Sequence, residues 1–513
     1  MKKIITIATL MLFSLQINAQ YTINDTFADQ NECTYMTRDA FIVWWDNDFD
    51  YSVEVDALLD QIIAYRTECL DVLNMMDPPS IMDDYYQNIY LHGDGGYFDS
   101  NGWGNGVGTD SNGYPFYTMP YSLLGDTITV AHEIFHLYQY SSNSPGFEYA
   151  GDSQWYIEAS ANWYGARQDF AAERAFIESE SLVRLPHVPF WLSYDNFPST
   201  YPQNWQRYVH QYALNLYLYY LTEVVGISPN IISEGFYMEL TERPQEYLYN
   251  EIGATEYRNH FIDWTARMTN DFDFISENQK SANEQEWLNY ADPSDDNEFT
   301  ETFNDNGSNG WYQPDNELIT NAWSYNTYRL DNTSTTSYTF EINGEANGVF
   351  GSPSYFQGKV LVKDSNGNST FYNLSMIDET NGSLSIDVTN LDTEIYFIIA
   401  SMPEYFEEIN QNFQQFPYQL RITNNILGVS DLEAFNSIKA YPNPVLNTLQ
   451  IDLQDFESNV EIELYSTLGQ VVFNKTYFNK EEIQLDFSYV NKGIYFLKVS
   501  TKGSTKTLKV IKE

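Results

Sequence analysis

The sequence predicts a multidomain protein: an α+β domain, an antiparallel β-sandwich, and a small second β-sandwich at the C-terminus. Three observations carry this expectation. The chain has 513 residues, more than one ordinary core organises. Near residue 291 the apolar pattern changes from helical spacing to short alternating runs. Near residue 436 the charge changes: nine Lys offset nine Asp plus Glu in 436–513, so the chain's net −47 lies entirely upstream. A charge of that size excludes nucleic acid and anionic membrane surfaces as partners, since both repel it. Hydrophobic residues at 43% and aromatics at 17% exclude a mainly disordered chain.

The segment 1–19, MKKIITIATLMLFSLQINA, places two lysines before a short apolar run and small residues at its end. That pattern is a secretory signal peptide, with Ala19–Gln20 as the expected cut. No second apolar run of spanning length follows, so no transmembrane segment is expected in the mature chain. Cys33 and Cys69 are the only two cysteines; they either bridge in an oxidising compartment or stay as buried thiols.

Residues 20–290 form the first expected domain. FIVWW (41–45) and QNIYLHG (87–93) read as strands, and 53–76 reads as a helix on the spacing of Val55, Leu58, Leu59, Ile62 and Ile63. DGGYFDSNGWGNGVGTDSNGYP (94–115) reads as long turns, and FYTMPY (116–121) as an edge strand because of its proline. Residues 126–290 are mostly helical by pattern, with a long aromatic-rich helix expected at 205–225. The acidic stretch 292–310 reads as a linker or loop. Runs such as SYTFEING and EIYFIIAS, divided by Asn-Gly turns, place the β-sandwich within 291–430. The alternating runs TLQIDL, VEIELYS and IYFLKVS make 436–513 the small one.

The chemistry is carried by Thr129-Val-Ala-His132-Glu133-Ile-Phe-His136-Leu-Tyr-Gln139. His132 and His136 are four apart, so on a helix both imidazoles leave one face and can bind one Zn²⁺. Glu133 lies about 100° around the helix, where it can act as general base on water activated by the metal. A catalytic zinc needs one more protein ligand. Glu158, in Trp155-Tyr-Ile-Glu158-Ala-Ser-Ala-Asn162-Trp163, supplies it if a turn at 141–146 folds a second helix back.

This His-Glu-x-x-His plus distant Glu-x-x-x-Asn pattern resembles the gluzincin superfamily of zinc metallopeptidases. With Leu-Tyr-Gln after the second His and Glu-Ala-x-Ala-x-Trp, it is similar to a group of secreted bacterial metalloproteases. The resemblance implies peptide-bond hydrolysis of a protein or glycoprotein substrate, with zinc as cofactor. It implies metal ligands His132, His136 and Glu158, catalytic Glu133, and Asn162 orienting a ligand imidazole. Phe135 departs from the Gly of the mucin-directed subgroup, and the absence of His between His136 and His187 excludes the metzincin arrangement. The tail carries Tyr441-Pro442-Asn443-Pro444, Leu468-Gly469-Gln470, Gly493-Ile494-Tyr495-Phe496-Leu497 and Lys509-Val510-Ile511-Lys512. It resembles the sorting domain of type IX secretion cargo, which implies a secreted or cell-surface protein that engages that machinery.

A donor for the developing oxyanion is sought among Tyr208, His210 and Tyr212, the two tyrosines sharing a helix face. His92, His187 and His260 are assigned to structure. Calcium is a weaker expectation, from Asp364-Ser-Asn366-Gly-Asn368, where a hairpin turn is favoured, and from the Asp-rich 94–110. The rival reading is a surface-binding or adhesive protein on a catalytically inactive zincin fold.

Overall fold

The computed structural model describes residues 21–140, 153–170, 180–197, 205–237, 242–269, 271–277, 280–281, 303–308, 310–332, 336–388, 393–407, 414–426, 438–453, 460–478, 482–500 and 505–513. The expected signal peptide and the turn at 141–146 lie outside them, as does most of the expected linker. Two compact units are present: described residues within 1–331, 340–384 and 393–421, and those within 332–339, 385–392 and 422–513.

The first unit opens with a five-stranded mixed sheet. Its strands are β1 (Cys33–Arg38), β2 (Phe41–Asp46), β3 (Gln87–His92), β4 (Gly106–Thr109) and β5 (Pro115–Pro120), in the order β1-β2-β3-β5-β4. β2 and β3 pair in parallel, as do β3 and β5, whereas β1 and β4 are antiparallel to their neighbours. β2 and β3 are buried along their whole length, as strands covered on both faces are. β5 is therefore interior, not the expected edge. Its prolines stand at its two ends, so the ladder between them keeps its donors. The edge is β4, inside the run read as turns. A Cβ at Gly108 would lie 2.8 Å from the Phe116 ring, so any larger residue there would have to push that ring aside.

The helices are α1 (Ser52–Asp71), α2 (Pro79–Met82), α3 (Thr127–Gln139), α4 (Gln154–Gln168), α5 (Glu180–Arg184), α6 (Trp205–Ala213), α7 (Asn215–Tyr219), α8 (Asn230–Glu234), α9 (Pro244–Ile252) and α10 (Ala254–Arg267). The long helix expected at 205–225 is broken at Leu214 and ends in a π turn, Tyr220–Val224. A four-stranded and a six-stranded sheet follow. The first comprises β8 (Ser324–Asn332), β10 (Phe356–Lys363), β11 (Ser369–Asn373) and β14 (Thr393–Ser401), in the order β11-β10-β14-β8. The second has the order β12-β13-β9-β15-β7-β6, from β6 (Phe303–Ser308), β7 (Trp311–Pro314), β9 (Thr336–Gly344), β12 (Ser375–Met376), β13 (Asn381–Val388) and β15 (Tyr418–Ile426). The described end of the expected linker is thus strand, not loop. Within the first unit the two sheets meet through Phe340 on Phe397 and Phe356 on Tyr418, with ring centroids 5.2 and 5.7 Å apart. Strands and helices also share a core: Trp323 is fully buried against Tyr257 and Phe261 of α10 at 5.0 and 5.4 Å.

The second unit contains a three-stranded sheet and a four-stranded sheet. They are built from β16 (Lys439–Tyr441), β17 (Thr448–Asp452), β18 (Val460–Ser466), β19 (Val471–Tyr477), β20 (Glu482–Asp486), β21 (Gly493–Ser500) and β22 (Thr505–Lys512), in the orders β16-β17-β20 and β19-β18-β21-β22. Leu449, Ile451, Ile462, Leu464, Leu497 and Val510 form its core, alternating with exposed or half-buried residues.

Cys33, in β1, and Cys69, in α1, are both buried free thiols. Among the described residues, no helix is long and apolar enough to cross a membrane.

Candidate metal centre

α3 begins at Asp126, whose carboxylate accepts from the Thr129 N–H at 3.1 Å and satisfies one of the helix's orphan donors. No Pro or Gly interrupts the helix, so the 3.6-residue repeat delivers both imidazoles to one face. α4 runs back along that face in a regular antiparallel register. Ile128 faces Gly165, His132 faces Asn162, and His136 faces Glu158. Each step is three or four residues on either helix, the spacing that keeps side chains on one face. Gly165 allows the close approach: a Cβ there would stand 2.8 Å from the Ile128 carbonyl oxygen.

The outcome is convergence of three Lewis bases. His132 Nε2 and His136 Nε2 are 3.0 Å apart, and Glu158 Oε2 lies 3.5 and 3.6 Å from them. Among the described residues, this is the one group of His, Cys, Asp or Glu with metal-ligating geometry. A tetrahedral zinc with bonds of about 2.0–2.1 Å needs its ligands about 3.3–3.4 Å apart, which these separations match. The donor set also fits: two imidazoles and one carboxylate, all nearly buried, leave one coordination position open. Burial lowers the His136 pKa, but the hydrogen bond and charge of Glu158, with Glu133 and Gln139 adding, outweigh it and raise it to about 9. Burial raises the Glu158 pKa, but hydrogen bonds from His132 and His136 bring it far below the usual carboxylate range. One carboxylate and two ring nitrogens face each other, an arrangement of donors that a proton or a metal cation can bridge.

The predicted residues sit as follows. His132, His136 and Glu158 come together. Glu133 is outside the ligand group, buried, and accepts from Asn105 Nδ2 at 2.7 Å. Asn162 Oδ1 lies 2.7 Å from His132 Nδ1, within hydrogen-bond reach of the imidazole. Of the oxyanion candidates, His210 is fully buried with both ring nitrogens engaged, by Ser181 Oγ at 2.9 Å and the Pro189 carbonyl at 3.3 Å. It is withdrawn from that role. Tyr212 stacks beside His132 at 6.3 Å between ring centroids, with Tyr208 beyond it at 6.1 Å. His92 and His187 are buried, and the Asp364 carboxylate accepts the Asn366 and Asn368 N–H groups of a hairpin turn.

Sequence reasoning missed three side chains. Asn105 holds Glu133, and its own Oδ1 accepts from the Tyr117 hydroxyl at 3.0 Å, which points the amide nitrogen at the carboxylate. Gln139, noted only as a motif letter, reaches His136 Nδ1 at 2.6 Å. Tyr140 lies close enough for burial and the charges of Glu158 and Glu133 to raise its phenol pKa. For Asn105 the available signal was an Asn between two glycines on the sheet edge.

Comparison with known proteins bears on family and export. Residues 14–428 match a family of unknown function, DUF6055. The chain belongs to DUF6055. Residues 439–513 match the secretion system C-terminal sorting domain, so the tail is a type IX sorting domain and the protein is secreted or held at the cell surface. No curated protein matches. Among solved structures, a biofilm-associated protein BSP domain is 8% identical, with 45% of this chain covering 55% of that one at a TM-score of 0.16. A β-1,2-glucanase from Parabacteroides distasonis is 8% identical, covering 40% and 36% at 0.14. The CBM51-2 and INT domains of Clostridium perfringens ZmpB are 8% identical, covering 38% and 73% at 0.12. The chain spans about half or less of the first two, and at such scores none of these likenesses carries an argument.

Proposed function

We propose that this DUF6055 protein is an exported zinc metallopeptidase of gluzincin type, hydrolysing peptide bonds in extracellular proteins or glycoproteins. The observation that carries this reading is the convergence of His132, His136 and Glu158 beside a buried carboxylate outside the ligand set. Zinc held there supplies a Lewis acid for a carbonyl oxygen and lowers the pKa of water to about 7. Glu133 accepts the proton as water attacks and returns it to the leaving amine. Asn105 occupies one Glu133 oxygen and leaves the other for that task. Tyr212, its ring 6.3 Å from that of His132, is the donor to charge developing on the substrate oxygen. β4 pairs on one side only, and its open edge, next to Asn105, accepts an extended polypeptide by strand addition.

The second reading, an inactive adhesive protein, is favoured by the tandem β-sheets. Glu133→Gln separates the two, because it keeps shape and burial but removes the base. The purified chain is expected to bind one equivalent of zinc and cleave casein or a glycoprotein. The variant should keep the zinc and lose about 10²- to 10⁴-fold in rate. A wild type that binds zinc and cleaves nothing in a proteome-derived peptide library leaves the adhesive reading standing.

A further inference from the structure

Each ligand histidine has its second ring nitrogen on a neutral amide: Asn162 for His132, and Gln139 for His136. The Gln139 amide is nearly fully buried, and both its ends are engaged. Its Nε2 lies 3.1 Å from the Ile157 carbonyl and 2.8 Å from Ser160 Oγ. A backbone carbonyl accepts and never donates, so the atom facing it must be the amide nitrogen. Ser160 spends its own proton on the Tyr156 carbonyl at 2.5 Å, so its oxygen is free to accept as well. The amide orientation is therefore determined without reference to any metal. Its oxygen faces His136, and that oxygen can only accept. It follows that His136 Nδ1 carries a proton and that neutral His136 presents a bare Nε2 to His132 and Glu158.

From this chain of obligate donors and acceptors we propose that Gln139 is the positioning residue that sets the tautomer of His136 for metal binding. The Ile157 carbonyl and Ser160, one residue before and two after Glu158, fix it in turn. Backbone of the helix that carries the carboxylate ligand thereby dictates which nitrogen of the opposite helix's imidazole is free. One buried amide assembles two of the three ligands together. The step from a bare nitrogen to a zinc ligand rests on the proposed function; the tautomer does not.

The test has two arms. In the first, the metal-free wild-type protein is labelled with ¹⁵N-histidine, and long-range proton–nitrogen spectra are recorded above the pH at which His136 loses its extra proton. His136 is expected with its proton on Nδ1; a proton on Nε2 overturns the proposal. In the second, zinc affinity is measured by chelator competition for the wild type, Gln139→Met and Gln139→Glu. Met keeps the length and burial but bonds nothing, and should weaken zinc about 10- to 100-fold while the His136 spectrum becomes a mixture of tautomers. Glu retains an acceptor towards Nδ1 but sets its other oxygen against the Ile157 carbonyl, so it should keep the Nδ1–H tautomer while recovering only part of the affinity. Equal affinity and an unmixed Nδ1–H tautomer in folded Gln139→Met overturn the assignment. If the wild type shows the expected tautomer but binds no zinc, the peptidase reading falls and the role of Gln139 as tautomer-setter stands.

Discussion

The first unit holds two histidine pairs, His132 with His136 and His187 with His210; three of the four rings are buried, and burial alone does not distinguish the pairs. His210 meets the Ser181 hydroxyl and the Pro189 carbonyl, and burial pushes both it and His187 down to about 4. His136, equally buried, is raised to about 9 because Glu158 and Glu133 outweigh the same desolvation cost. The partners decide what a buried imidazole does. A buried imidazole facing neutral dipoles, as His210 does, stays uncharged, whereas one beside a carboxylate, as His136 is, holds its proton.

The sharpest way to break this contrast is to truncate one member of each pair. His136→Ala should abolish zinc binding in equilibrium dialysis. His210→Ala should leave zinc stoichiometry unchanged and lower stability by about 2–4 kcal/mol in urea unfolding, from lost packing and the lost hydrogen bond to Ser181. Zinc lost from both variants alike would erase the distinction.

Acidity probes the pairs in opposite directions. His187 and His210 have folded pKa values below the ordinary 6.5, so the unfolded chain binds more protons, and stability is lost as pH falls from 6.5 towards 4. His136 has a raised folded value, so in the metal-free protein its contribution is fully present below 6.5 and lost as pH rises through about 9. Zinc must displace that proton, so affinity should climb with pH and level off near 9. Metal-free melting temperatures and zinc competition across that span read both trends. The smallest effect concerns the base: Asn105→Ala removes one hydrogen bond to Glu133 and should cut the rate about 10-fold with zinc affinity unchanged.

Much of the site was legible because its information is local. His132 and His136 announce themselves by spacing on an unbroken helix, and Glu158 and Asn162 by one further turn-and-helix unit. The tail was legible for the same reason, through landmarks in order. What stayed hidden depends on neighbours distant in sequence. The 94–115 run looks like turns, and nothing local shows that an edge strand forms there with Gly108 leaving room for the Phe116 ring. His210 has the right helix for a site residue, but its fate is set by Ser181 and Pro189. Trp323 could not be seen to pack on α10, because the shift from helical to alternating periodicity marks where the element type changes and says nothing about which elements share a core.

The two thiols carry a practical consequence. Burial raises both Cys33 and Cys69 above the usual thiol range, so each stays protonated and unreactive while the fold is intact. Neither thiol is offered to a crosslink while the fold is intact. Its melting behaviour should be indifferent to a phosphine reductant, and alkylating reagents should label it only after denaturation.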